Sequence, residues 1–271
     1  MAGLFERFLT KERNMKHLLD EFEYDWKLEG KAESTVKLYR EQLVELFEAH
    51  SIVNALIAKQ WMSGKPTQSM RRKRSQAIRA FGAWAEKNEV EGFHWWKQVP
   101  VEKEENKPQA TATQADFKHA LSAASTLRDK ALVEVLWSCG LRRSEIARLD
   151  IADVNFSEGF LVIRTTKTGK PRIAPLSPTA RQALRRYIGK RSQGSLFGMT
   201  TNAIRLCLMR LGAPSAHAWR RGWAVNSLRS GVSETSVKAA AGWSSGAMVA
   251  RYTRALSGEL AVEEFHRSWG G

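Results

Sequence analysis

Apolar positions fall at helical spacing along most of this chain and at strand spacing in one place. Residues 1–33 mix charges with Phe8, Leu18, Leu19, Phe22 and Trp26 and read as a helical segment. Tyr39, Leu43, Leu46 and Phe47 follow at i, i+4, i+7 and i+8, one apolar stripe of a helix. Ser34 or Thr35 stands where a capping hydroxyl belongs. A third helix is expected over about 52–62, and Gly64-Lys65-Pro66 forms a loop. Ile78, Phe81 and Ala85 then give the next segment its own apolar face.

The polar stretch 100–110, with Pro100 and Pro108, is the expected linker. It separates a small helical domain, 1–99, from a second domain, 111–271, whose tail is 255–271. In the second domain Thr113 caps a helix through Phe117 and Leu121. A further helix carries Leu132, Val135, Leu136 and Cys139 and ends at Gly140; Arg142 and Glu145, spaced i, i+3, open the next. The period then changes. Phe160-Leu161-Val162-Ile163 and Arg172-Ile173-Ala174-Pro175-Leu176 read as two strands of a hairpin, with Lys167 near its tip. Ser177-Pro178 starts another helix. His217 and Arg220 are three apart in a helical segment, which predicts one shared face. The fold class is mainly α with a small β-hairpin.

Charge narrows the partner. Formal net charge is +15 and the pI about 10.1, which points to a polyanion, nucleic acid before an anionic membrane surface. Residues 1–99 carry 17 Lys and Arg against 14 Asp and Glu, whereas 111–271 carry 24 against 11, so the polyanion should meet the second domain most strongly. In the first domain Arg71, Arg72, Lys73 and Arg74, with Arg79, are candidate phosphate contacts. Cys139 and Cys207 suit two buried free thiols in a reducing cytoplasm. No CxxC or His/Cys cluster suggests zinc, and no apolar run approaches the ~20 residues of a membrane span. Tyr252 stands between Arg251 and Arg254, downstream of the His-x-x-Arg pair, an arrangement suited to a phosphate-bearing partner.

The ordered fragments GLRRSE, TKTGK, HAWR, AGW and RYTR together resemble the tyrosine recombinases, or phage integrases. Each is weak alone; five in order around a hairpin are specific. The resemblance covers the second domain. The first is similar, more weakly, to that family's helical, SAM-like core-binding domain. The resemblance implies DNA strand cleavage and rejoining through a covalent 3′-phosphotyrosine.

On that register Tyr252 matches the nucleophile, a phenol of free pKa ~10 whose anion needs stabilising. Arg142 and Arg220 match the clamp on the scissile phosphate, where bidentate guanidinium groups suit the charge of the transition state. Arg143 and Arg221 fall outside the motif. Glu145 is placed to orient the clamp. Lys167 matches the general acid for the leaving 5′-oxygen, and His217 a proton-transfer or phosphate-binding group. Trp243 departs from the commonest family residue, a second histidine; an indole donates one hydrogen bond but shuttles no proton. The scheme implies no metal and no other cofactor, and no ATP-binding GxxxxGK[ST] loop is present.

Two linked domains suggest a clamp on duplex DNA. The resemblance further implies two recombination sites, a homotetramer with the 255–271 tail exchanged between neighbours, and accessory DNA-bending proteins. It implies the smaller recombinase plan without an arm-binding domain: a phage or mobile-element integrase, or a Xer-like resolvase of DNA multimers. The rivals are a non-catalytic DNA-binding protein on the same fold and a topoisomerase-like nicking-closing enzyme.

Overall fold

The structure is a computed structural model that describes residues 2–101, 110–164, 171–243, 245–246 and 257–269, with side chains from residue 15 onward and at some positions of the last helix. The chain divides into two compact units, Met1–Lys107 and Pro108–Gly271. The break falls inside the expected linker, most of which lies outside the described residues.

The first unit is helical: α1 (Ala2–Leu28), α2 (Glu33–Ala49), α3 (Ala55–Ser63), α4 (Gln68–Lys87) and a 3-10 turn, His94–Gln98. Helix α2 begins one residue before the expected caps. Ala32 precedes it without a side-chain cap, and Ser34 and Thr35 lie within its first turn. Asn54 and Thr67 cap α3 and α4 through the amides of Ile57 and Met70. The predicted stripe holds one wall of the core: Leu43 is buried with Phe22, Phe81 and Trp84, and Leu46 with Trp61, Met62 and Ile78. The Phe22 and Phe81 rings meet edge to face at 5.4 Å. Burying each such ring contributes roughly 1.5–3 kcal/mol.

The second unit is built around α6 (Leu127–Cys139), whose Leu132, Val133, Val135, Leu136 and Cys139 are all buried. Before it stands α5 (Gln114–Ala123), capped by Thr113 in a full capping box with Asp116. After it come α7 (Arg143–Ile146), β1 (Val154–Asn155), β2 (Phe160–Ile163), β3 (Arg172–Pro175), α8 (Pro178–Ile188), α9 (Thr201–Arg210), α10 (Ala216–Arg229) and α11 (Glu234–Ala241). Ser177 caps α8, with Pro178 in its first turn. The predicted hairpin is present, and β1 adds an unpredicted third antiparallel strand. Ile163 pairs with Arg172 and Leu161 with Ala174. Leu161, Ile163 and Ala174 are buried, so their face looks into the unit while Ile173 is 58% exposed. The last helix, α12 (Ser257–Ser268), packs against α10, with Arg229 3.5 Å from Glu263. Among the described residues no helix is long and apolar enough to cross a membrane.

Candidate active site

Helix α6 ends at Gly140 in the left-handed conformation (φ 57°), the C-terminal stop its sequence predicts. The reversal has a packing reason as well. A Cβ on Gly140 would lie 2.2 Å from the Trp223 ring of α10, so the chain turns against that indole. Two residues later Arg142 stands at the N-cap of α7 and Glu145 at its third position. Glu145 reaches back and accepts the Arg142 backbone N–H at 2.7 Å.

Glu145 is the hub of the site. One oxygen, Oε1, accepts Arg142 Nη1 at 2.7 Å; the other, Oε2, accepts Arg172 Nη2 at 2.7 Å. The Glu145 side chain is 3% exposed, Arg172 7% and Arg142 25%. One carboxylate thus lies between two guanidinium groups, and the trio keeps a net positive charge. Burial pulls the Arg172 pKa below the ordinary arginine value; the Glu145 carboxylate opposes that shift and the Arg142 charge adds to it. Arginine still stays ionised at any working pH. Sequence reasoning missed Arg172. It took the residue only as a strand position, and nothing in residue type alone indicates that it turns inward beside Ala174 while Ile173 turns out.

Arg220 is buried in α10 and donates Nη1 to Gly140 O and Nη2 to Ala241 O, both at 2.6 Å. These are carbonyls at the ends of α6 and α11, where the helix dipole favours a cation. The bonds fix the guanidinium against two helices without neutralising it. Its carbon also lies 5.1 Å from the Trp243 ring centroid. Trp243 is buried with Trp223, Val237 and Ala241. Its position therefore supports packing and the placement of Arg220.

His217 shares α10 with Arg220, but the two differ in exposure: His217 is exposed and Arg220 buried. Arg143, expected outside the motif, is exposed. Arg221, also expected outside it, is buried and donates Nε to Ala110 O at 2.7 Å. The structure thus brings Arg142, Glu145, Arg220 and Trp243 together. Lys167 and Tyr252 lie outside the described residues. Among the described residues, no three His, Cys, Asp or Glu side chains gather as ligands for a metal ion.

The basic run of the first unit divides. Arg74 is turned inward, which corrects the expectation that it meets phosphate. Its guanidinium lies 3.6 Å from the Trp61 ring centroid and bonds to Trp61 O and to Glu45. The reason is periodicity: Arg74 shares the inward face of α4 with Ala77, Ile78 and Phe81. Arg79 is half-buried and donates to Val99 O at 2.9 Å. Arg71 donates to Lys65 O at 3.2 Å; Arg72 is half-buried and Lys73 exposed.

The family model of the phage integrase family matches residues 111–259. This chain belongs to that family, the tyrosine recombinases. It is similar to tyrosine recombinase XerA of Pyrococcus horikoshii, with 31% identity over 187 residues, 66% of this chain and 62% of the relative. The match thus spans less than two thirds of that relative's length. Among solved structures, the integrase of transposon Tn1549 in complex with a circular intermediate DNA matches with a TM-score of 0.66 at 17% identity, covering 87% of this chain and 94% of that one. A lambda integrase tetramer bound to a Holliday junction matches with a TM-score of 0.71 at 13% identity, covering 88% and 76%. At those identities the likeness is one of fold. The chain shares with those structures a mainly helical architecture with a small sheet.

Proposed function

We propose that this chain is a site-specific DNA recombinase that cleaves and rejoins strands through a 3′-phosphotyrosine on Tyr252. The observation that carries the reading is the Arg142–Glu145–Arg172 trio with Arg220 beside it. One carboxylate serves two guanidinium groups, and a third guanidinium is fixed by neutral carbonyls. Two guanidinium groups around one carboxylate leave an excess of positive charge, which suits an oxyanion whose charge grows in the transition state.

In the proposed reaction the Tyr252 oxygen attacks the scissile phosphorus and the bond to the 5′-oxygen breaks. Lys167 gives the leaving oxygen its proton, and His217 takes or relays the phenol's. Arg142 and Arg220 hold the non-bridging oxygens. Rejoining is the reverse, with a 5′-hydroxyl attacking the phosphotyrosine and the phenol leaving. The number of phosphoester bonds is conserved, so no nucleotide is consumed. No metal or other cofactor is assigned. Trp243 holds Arg220 in place and moves no proton.

The biological role we assign is integration or excision of a phage or mobile element, acting as a homotetramer on two duplex sites in the cytoplasm. Arg71, Arg72, Lys73 and Arg79 serve as phosphate contacts, accessory DNA-bending proteins assist, and the 255–271 tail is passed to a neighbour. The name of the Pyrococcus relative, a Xer recombinase, favours a second role, resolution of DNA multimers.

A covalent-trap experiment tests the chemistry. The chain is incubated in EDTA with sheared genomic DNA from cells carrying its gene, quenched in detergent, and run beside Tyr252→Phe on a denaturing gel. An adduct with the native chain that vanishes in the variant is expected. DNA binding without an adduct would leave a binding protein on this fold, and an adduct persisting in the variant would mean another nucleophile. Sequencing the trapped DNA gives the site. Two copies of it on one plasmid or on two then distinguish resolution, integration and nicking-closing.

A further inference from the structure

The Arg172 side chain is buried, yet its Nε and Nη1 have no hydrogen-bond partner among the described residues; Nη2 alone is matched, by Glu145. Buried donors without partners destabilise a fold, and an apolar side chain of similar volume at this strand position would avoid that cost. A residue kept for packing would not carry two unmatched donors and an ionised head. The geometry indicates what it does instead. Glu145 is fixed beside the phosphate clamp by the Arg142 backbone N–H, and a bare carboxylate there would repel an incoming phosphodiester. It would also hold Arg142 in a one-to-one ion pair. Arg172 supplies the opposing charge from behind.

We infer that Arg172 is a positioning residue of the recombinase site: it takes up the charge of Glu145, so that Glu145 orients Arg142 while Arg142 keeps its charge for the phosphate. It is not itself a phosphate ligand, because its free donors are buried and its accessible surface is small. Gly242 makes the arrangement possible. A Cβ there would lie 2.6 Å from Arg172 Cδ. This inference rests on the recombinase reading above.

The test uses the full chain on the DNA site recovered by covalent trapping, with Arg172→Ala, Glu145→Gln and the double variant. Binding is read by gel shift and cleavage as a single-turnover rate at saturating protein, at a temperature where circular dichroism shows every variant folded. Arg172→Ala should cleave slower by roughly tenfold or more, the scale of losing one preorganised charge. Its DNA affinity should change by no more than about threefold, because the lost interaction matters in the transition state and not in the ground state. Adding Glu145→Gln should recover part of the lost rate, since it removes the uncompensated charge; a structural role would predict a further loss. A native rate in Arg172→Ala, or a double variant no faster than Arg172→Ala, overturns the inference and leaves the recombinase reading standing. A native chain that cleaves no DNA overturns both.

Discussion

Gly242 and Arg172 occupy one space: a methyl on Gly242 would lie 2.6 Å from Arg172 Cδ and 2.8 Å from its Nε. Gly242 also sits at φ 65°, as the left-handed stop of α11. Gly242→Ala therefore combines a backbone cost of about 1–2 kcal/mol with displacement of the arginine behind Glu145. It should lower the melting temperature and lower the cleavage rate further than the lost stability explains. Gly246→Ala, where no described residue lies within 4 Å of the added methyl and φ is not positive, is the control and should be near neutral in both.

Arg74 and Lys73 are adjacent, and their substitutions should do opposite things. Lys73→Ala removes an exposed charge. It should weaken DNA binding at low salt and reduce the slope of log affinity against log salt by about 1, with stability unchanged. Arg74→Ala removes a stacked, hydrogen-bonded core arginine. It should cost about 2–3 kcal/mol in urea unfolding of the first unit and leave the salt slope unchanged. A salt slope that moves in Arg74→Ala would mean that the inward arginine still meets DNA.

Cys139 makes stability fall in alkali. Burial at the end of α6 pushes its thiol up to about 12. An unfolded thiol titrates near ~8.5. Because the folded value is the higher, its contribution is fully present below the unfolded value and is lost as pH rises through the folded one. Between those limits the native state holds the proton that the unfolded state releases, at a slope of up to about 1.4 kcal/mol per pH unit. Urea unfolding at pH 7 and pH 10 should show the native chain losing more stability than Cys139→Ala. Equal losses would place the thiol in contact with water.

Local chemistry made much of the fold legible. Thr113 with Asp116, Ser177-Pro178 and Gly140 mark helix ends by hydrogen bonds and dihedral angles that depend on a few neighbouring residues. The Arg142–Glu145 pair was legible for a similar reason: the two are joined across one turn. What failed depended on tertiary placement. The expected caps at Ser34 and Thr35 lost to a start at Glu33. Arg74 belongs to a run of four basic residues, but a helix turns 100° per residue, so one of the four faced the core. Arg172 was hardest. In β3 the charged residue faces in and the isoleucine faces out, the reverse of the usual alternation, because the inward neighbour it meets is Glu145 from α7.

Helix α12 gives the last prediction. It packs against α10, with Arg229 3.5 Å from Glu263, while Val262, Phe265 and Trp269 stay 54%, 57% and 74% exposed. A tail that served only its own chain would bury its largest apolar groups. Three left in water at the chain's end suit an apolar pocket on a neighbouring copy, as the proposed exchange requires. The exposed Arg229–Glu263 pair adds only about 0–1 kcal/mol to the packing of α12 on α10. Deleting 255–271 should therefore keep binding to a single DNA site, keep the melting temperature within a few degrees, and lower recombination between two sites. Phe265→Ser with Trp269→Ser should do the same with the helix retained. Unchanged recombination in both variants would assign α12 to its own chain.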